Sequence, residues 1–322
     1  MIYLFLATCS SAVMAIVLRM FQDSKGNRYG IILGNYLVCI LISFLSLPDR
    51  SLVLHGSFVT IICGIIGGIF FVAGLVTMQT STKLNGATLT AVFSKMGLVI
   101  SLAVSIFVFG ERPGPMQAAG VILVLAALVL INSSGEEGEQ SGEEKVQSGE
   151  GQTRLGEREA KSGGEQDQPG KEQVQGKTDT SKVYTSALIL TMLAGGGASS
   201  MSKIFEQIGS RDQDELYFLY LFATAAVLTV ILAAVERRKT GADLRWQEMA
   251  AGIAVGVPNY YASFLLLLAL VALPAFIVYP VNSTGAILLV MAVDALIFHQ
   301  KYTSRQKIGI LLVLAAMILL NI

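Results

Sequence analysis

A long apolar stretch with a single charge near its middle constrains the fold of this chain more than any other feature. From Gly86 to Phe109 the sequence is almost entirely apolar or small, and Lys95 is its one charged residue. These 24 residues would form a helix about 36 Å long, which is enough to cross a bilayer. A lysine at the centre of a membrane helix costs roughly 2.5–3.5 kcal/mol on insertion scales, so we expect it to face a protein interior or a watery cavity.

The composition extends this conclusion to the whole chain. Of its 322 residues, 53% are hydrophobic and 14% are charged, and the mean hydropathy is +0.63. A soluble domain cannot bury that much apolar sequence, so we predict an all-α, multi-pass protein of the cell membrane. The apolar run after Met1 lacks the basic start and the cleavage pattern of a signal peptide, and we interpret it as the first membrane helix.

Ten apolar segments are predicted to be transmembrane helices. They cover residues 2–20, 29–47, 57–80, 85–109, 114–131, 184–205, 214–235, 247–270, 274–298 and 304–321. A polar stretch at 133–182, without any aromatic residue, separates a first unit at 1–132 from a second at 183–322. This stretch cannot bury enough apolar surface to offset the entropy lost on ordering, so we predict a disordered linker. A solvated connection is the favoured interpretation, and a regulatory or docking segment is the alternative.

The second unit repeats the first. Residues 120–132 read GVILVLAALVLIN and residues 309–321 read GILLVLAAMILLN, with eight identities in thirteen positions at an offset of 189. Two pairs of glycines also match, at an offset of 188: Gly64 with Gly252 and Gly68 with Gly256. Because each unit has five predicted helices, the two must cross the membrane in opposite directions, as inverted repeats do. We expect Ala126 and Ala315 to occupy the same packed seam in each repeat.

Lysine and arginine residues near the helix ends predict the sidedness. Twelve of them lie at the end of the bundle that carries the linker, and four lie at the other end. Cytoplasmic loops carry the excess of positive charge, so this distribution puts the linker in the cytoplasm and both termini outside.

The end of the fourth segment carries a motif. Phe109-Gly110-Glu111-Arg112 is followed by Gln117, Gly120, Leu123, Leu125, Ala126 and Ala127, and Phe298-His299-Gln300-Lys301 by Gln306, Gly309, Leu312, Leu314, Ala315 and Ala316. With the ten helices and the duplication, this pattern resembles the EamA branch of the drug/metabolite transporter superfamily. The resemblance implies a secondary transporter that exports a metabolite through a central cavity without ATP hydrolysis. Two features depart from it: the second copy has Gln300 where the first has the acidic Glu111, and the 50-residue linker is longer than such proteins usually carry. Relatives are also commonly drawn with cytoplasmic termini, which conflicts with the distribution of charge.

Polar residues inside the apolar segments are the candidate substrate-binding residues. They are Lys95, Ser94, Tyr260, Tyr279, Asn282 and Thr284. The stretch that holds Asn282 and Thr284 aligns with Ser94 and Lys95, and Pro280 within it can free a backbone carbonyl for a ligand. Hydrogen bonding between helices explains Asn282 and Thr284 equally well. Because Lys95 is cationic, an anionic or zwitterionic substrate is favoured.

Other residues within the segments have two interpretations each. Asn259, Tyr260 and Tyr261 follow Pro258, and aromatic rings there would either wall a cavity or fill the bundle interior. Asp294 is a candidate for coupling to a proton or an ion, with water or a basic partner at the interface as the alternative. Lys203 and Glu206 have the spacing to pair on one helix face, although snorkelling to the interface is favoured at a helix end.

These features leave three functions open. We expect a secondary transporter that moves a small metabolite by alternating access, with the lipid bilayer, the solute and a coupling proton or ion as partners. The alternatives are a flippase for a lipid-linked or amphipathic solute and a non-transporting scaffold or sensor that uses the acidic linker. The sequence holds no phosphate loop, nucleophile triad, metal-ligand cluster or basic nucleic-acid patch. We therefore expect no enzymatic activity, no cofactor, no metal site and no nucleic-acid partner.

Overall fold

The fold is described from a computed structural model over residues 1–20, 29–133, 184–297 and 302–320. Every regular element in these ranges is a helix. Nearly all of the predicted linker lies outside the described residues, and so does the second copy of the motif at 298–301.

The helices occur where the apolar segments predict them. In chain order they are α1 (Ile2–Met20), α2 (Tyr29–Ser46), α3 (Leu52–His55), α4 (Phe58–Asn85), α5 (Ala87–Met96), α6 (Leu98–Phe107), α7 (Pro115–Ser133), α8 (Thr185–Ile208), α9 (Asp214–Thr240), α10 (Trp246–Ala272), α11 (Ala275–Ile297) and α12 (Ser304–Leu320). The fourth predicted segment is divided at Gly97 into α5 and α6. A Cβ at Gly97 would lie 2.8 Å from the backbone nitrogen of Gly196 on α8, so this glycine permits backbone contact between the two units.

Within the described ranges, seven helical stretches are long and apolar enough to cross a membrane. They are Tyr29–Ser46, Phe58–Asn85, Leu89–Phe107, Thr185–Ile208, Arg211–Thr240, Trp246–Ala272 and Ala275–Leu296. These stretches indicate a multi-pass helical membrane protein. That α1, α7 and α12 also cross the membrane, which would make ten spans, stays a prediction.

Glycines bring two pairs of helices into backbone contact. A Cβ at Gly68 on α4 would lie 2.5 Å from the Leu221 carbonyl oxygen on α9, and a Cβ at Gly256 on α10 would lie 2.8 Å from the Asn35 carbonyl oxygen on α2. Only a residue without a Cβ allows such an approach. Gly68 and Gly256 are matched in the sequence repeat, so the α4–α9 contact has a counterpart in the α10–α2 contact.

The last helix of each unit packs antiparallel against the other. A Cβ at Gly120 on α7 would lie 2.9 Å from the Leu320 Cγ, and a Cβ at Gly309 on α12 would lie 2.5 Å from the Ile131 Cγ1. In the repeat alignment Gly120 matches Gly309, and Ile131 matches Leu320. The same contact therefore occurs twice across this interface.

The expected position of Ala126 and Ala315 in that seam is wrong. Both alanines are exposed, whereas Ala127 and Ala316 are fully buried. One residue along a helix turns the side chain by about 100°, so an error of one position moves the side chain to another face. Both repeats show the same displacement.

The glutamine of the motif caps the last helix of each unit. The Gly114 N–H donates to Gln117 Oε1 at 2.9 Å before α7, and the Thr303 N–H donates to Gln306 Oε1 at 3.0 Å before α12. A glutamine that reaches back to the N-cap backbone forms one half of a capping box. The motif glutamine therefore stabilises a helix start and carries no information about a substrate.

Two hydrogen bonds mark one end of the bundle. The Tyr184 N–H donates to Asn85 Oδ1 at 2.7 Å, and Asn85 Nδ2 donates to the Tyr184 carbonyl oxygen at 3.3 Å. They join the last turn of α4 to the residue that precedes α8. We call this the linker end, and we call the end that holds Phe107 and Arg211 the opposite end.

Candidate functional site

A central cavity lies between helices of the two units. Its larger part, about 390 Å³, is lined by α1, α2, α4, α5, α8 and α10 toward the linker end. A smaller part, about 250 Å³, extends toward the opposite end. Both parts share the wall residues Met14, Phe71, Ala198, Ser199 and Asn259.

Among the residues that the structure describes, no charged side chain lines the central cavity. Its aromatic walls are Tyr36, Phe70, Phe71, Phe218 and Tyr279, and its polar ones are Ser11, Asn35, Ser94, Thr191, Ser199, Ser202, Asn259 and Ser263. A mostly apolar cavity with a few polar groups is typical of a small-molecule site. These walls suit an uncharged or amphipathic solute, since a charge without a partner is costly to bury.

Two asparagines meet in the cavity wall where α2 contacts α10. Asn259 Nδ2 donates to Asn35 Oδ1 at 3.1 Å. The Cys39 thiol lies 3.7 Å from the same oxygen and 3.4 Å from the Gly256 carbonyl oxygen. Asn35 is 7% exposed and Asn259 is 3% exposed. This network holds both amides in fixed orientations. The sequence drew attention to Asn259 but not to Asn35.

Of the predicted substrate-binding residues, Ser94 and Tyr279 line the central cavity. The Tyr279 hydroxyl donates to the Ser199 carbonyl oxygen on α8 at 2.7 Å, which joins α11 to α8 at the cavity wall. Tyr260 instead packs behind the wall, stacked on Phe264 with ring centroids 5.7 Å apart. It occupies the bundle interior, which was one of its two interpretations.

Lys95 does not line the central cavity, although the preceding residue Ser94 does. Consecutive helical side chains point about 100° apart, so the two residues face different neighbours. Lys95 is partly buried, and within the described ranges it pairs with no carboxylate. The argument for an anionic or zwitterionic substrate depended on Lys95 facing the cavity, so this placement removes its basis.

Asn282 and Thr284 make hydrogen bonds to the protein itself. The Thr8 and Ser11 hydroxyls of α1 lie 3.4 and 3.5 Å from Asn282 Oδ1. The Thr284 hydroxyl donates to the Pro280 carbonyl oxygen at 2.6 Å in a fully buried position. Asp294 is buried far along α11 and has an interaction partner. The structure therefore does not gather these three residues around the cavity.

A buried ion cluster lies at the opposite end of the bundle. Lys203 is 1% exposed, and its Nζ lies 2.8 Å from both Glu206 Oε2 and Glu111 Oε1. Arg211 pairs with Glu206 at 3.5 Å. The predicted pairing of Lys203 with Glu206 is confirmed, but the favoured snorkelling of Lys203 is wrong. Two carboxylates compensate the ammonium inside the protein, so it does not need to reach water.

Glu111 also holds the start of α11. The Ala275 N–H donates to Glu111 Oε1 at 3.3 Å and to Oε2 at 3.0 Å, where the helix dipole favours a negative charge. Local sequence reasoning could not find this contact, since its partners are 164 residues apart. Glu111 thereby links the first unit to α11 and, through Lys203, to α8.

These contacts form two rungs between α8 and α11. One rung is Tyr279 to Ser199, and the other is Ala275 to Glu111 to Lys203. The rungs lie four residues, or about one helical turn, apart on both helices. We call them the clamp. It lies between the central cavity and the opposite end.

Comparisons with known proteins show the fold alone. No family profile and no curated protein matches this chain. A solved structure described as "Crystal structure of protein" matches with a TM-score of 0.64 and 15% identity, over 99% of this chain and 96% of its own. At that identity the likeness extends to the path of the chain and not to its function.

Proposed function

We propose that this protein is a secondary transporter that moves a small solute across the cell membrane by alternating access, as the EamA branch of the drug/metabolite transporter superfamily does. The observation that carries the proposal is the uncharged central cavity enclosed by helices of both units. In inverted-repeat transporters, the substrate site lies at the interface of the repeats near the middle of the membrane.

The paired helix contacts support an inverted duplication with ten crossings. The contact of α4 with α9 recurs between α10 and α2, and α7 and α12 present the same contact to each other. Two similar units that pack through matched surfaces can adopt two related packing arrangements of their helices around one cavity. Alternating access uses such a pair of arrangements.

The clamp supports the proposal that transport occurs by alternating access. It joins α8 to α11 between the cavity and the opposite end. In this arrangement we expect the solute to enter from the linker end. Transfer to the opposite side then requires the clamp to open while helices at the linker end close. Export as the direction, and Asp294 as a coupling residue, rest on the resemblance and the sequence alone.

The test is a cavity-filling substitution with a matched control on the same helix. Ala198 lines both parts of the cavity, so Ala198→Phe should fill it and abolish flux. Leu193→Phe enlarges an exposed side chain of α8 and should leave flux unchanged. The measurement compares the metabolites exported by cells that carry wild type, either variant or no protein, with membrane insertion checked in each case.

Two results would contradict the proposal. One is a metabolite profile that does not differ between cells with and without the protein. The other is full export by Ala198→Phe. Deletion of 136–180 separates the transporter from the scaffold alternative, because a transporter should retain its flux without the linker and a scaffold should lose its function.

A further inference from the structure

In the Asn35–Asn259 pair, each side-chain amide has one polar atom that the hydrogen bond between them does not use and that a ligand can contact. Asn35 uses its oxygen to accept from Asn259 and Cys39, and Asn259 uses its nitrogen to donate. The remaining ends, Asn35 Nδ2 and Asn259 Oδ1, have no hydrogen-bond partner within the described part of the chain. Neither atom is among the fully buried polar side-chain atoms that lack a hydrogen-bond partner. Both residues line the larger part of the central cavity. The pair therefore offers one donor and one acceptor to the cavity.

This pattern does not depend on how the amide oxygens and nitrogens are assigned. Exchanging oxygen and nitrogen in both side chains preserves the hydrogen bond between them, and it still leaves one donor and one acceptor. The Cys39 thiol beside the Asn35 oxygen favours the arrangement described. A ligand that satisfies both amides must carry one acceptor and one donor.

The surrounding walls limit the ligand further. Tyr36, Phe70 and Phe71 lie in the same part of the cavity, and the rings of Tyr36 and Phe71 meet edge to face with centroids 6.4 Å apart. Flat aromatic ligands pack well against such rings. The absence of charged side chains from the described walls disfavours an ionised ligand.

We propose that the substrate is an uncharged, planar heterocycle with a lactam edge, in which a ring N–H adjoins a carbonyl, as in neutral nucleobases. The carbonyl accepts from Asn35, and the ring N–H donates to Asn259. This assignment rests on the proposed function, since it names the substrate class of the same cavity.

The experiment measures binding of three related probes to the purified full-length protein by equilibrium dialysis. Uracil carries the lactam edge, 1,3-dimethyluracil keeps the ring and carbonyls but has no N–H, and orotate adds a carboxylate. Leaving a buried polar group without its partner is costly, so uracil should bind roughly tenfold tighter than either analogue, or more.

Variants connect this preference to the two amides. Asn35→Leu and Asn259→Leu should each remove the preference for uracil over 1,3-dimethyluracil. Gln247→Leu makes the same kind of change at an exposed position of α10 and should retain it. Thermal unfolding curves identify any variant that has lost its fold, and in that case Asn35→Asp, which replaces the donor by an acceptor, is measured instead.

The outcomes separate this inference from the proposed function. Equal binding of uracil and 1,3-dimethyluracil, or tighter binding of orotate, overturns the lactam assignment. The same holds if no probe binds to a protein that does export another solute. If cells with and without the protein export the same solutes and no probe binds, both proposals fail.

Discussion

Lys203 shows how a single residue can carry a charge inside this bundle. Its ammonium is buried, but carboxylates from two separate stretches of the chain surround it. A buried ion pair adds little net stability relative to an apolar substitute, whereas removal of one partner leaves an uncompensated charge. Lys95, by contrast, pairs with no carboxylate in the described ranges. The two lysines therefore differ in their partners and not in residue type.

Removal of the Lys203 charge should therefore destabilise the protein strongly. We expect Lys203→Met to lower the free energy of unfolding by about 3–5 kcal/mol, because Glu111 and Glu206 lose their shared counter-charge. The measurement is thermal or denaturant unfolding of the purified protein. Lys239→Met, at an exposed position at the end of α9, should have little effect. A Lys203→Met variant as stable as wild type would show that the cluster is not a stabilising feature.

At the scale of helices, glycine positions set how closely the elements approach. Gly68 and Gly256 stand in matched positions and bring α4 to α9 and α10 to α2 within backbone contact. Without a hydrophobic driving force between helices in lipid, small residues at such interfaces provide the close packing. The helix pairs that surround the central cavity thus depend on residues that have no side chain to contribute.

Matched alanine substitutions test this dependence. Gly68→Ala and Gly256→Ala should each reduce stability by about 1–3 kcal/mol, because the added methyl group meets a backbone oxygen. Gly74→Ala on α4 should be tolerated, since its Cβ would lie no closer than 3.7 Å to another atom. Denaturant titration of the three variants is the measurement. If Gly68→Ala is harmful and Gly256→Ala is neutral, the two interfaces are not equivalent.

At the scale of the whole molecule, the ends of the bundle differ in charge and in packing. The clamp lies between the central cavity and the opposite end, where the buried ion cluster lies, and among the described residues more lysines and arginines lie at the linker end than at the opposite end. If positive charge marks the cytoplasm, the clamp lies on the outer side of the cavity.

Cysteine labelling in intact cells tests this orientation. With Cys9, Cys39 and Cys63 replaced by alanine, Lys239→Cys at the linker end should be shielded from an impermeant thiol reagent. Arg50→Cys, exposed at the opposite end, should react readily. Permeabilised cells provide the control, since both positions should then react. The reverse pattern of labelling would invert the topology and agree with the orientation usually drawn for the EamA family.

The sequence by itself determined the helical class and the approximate position of the long helices, because runs of apolar residues of this length have few other stable forms in lipid. It did not predict the division of the fourth segment at Gly97 or the short helix α3. It also indicated local pairs such as Lys203 with Glu206, because residues three apart share a helix face. Ser94 and Tyr279 were placed at a ligand site from their position inside apolar segments, and both line the cavity.

Only the tertiary structure decided which face of each helix looks inward. A helix that is apolar all round has no polar stripe to indicate its rotation, so the sequence left open whether Lys95 faces a protein interior or a cavity, and Ala126 was expected where Ala127 lies. Contacts between distant residues were likewise beyond local patterns. Asn35 meets Asn259, and Glu111 meets Lys203 and Ala275, because helix packing brings together residues that no spacing in the sequence relates.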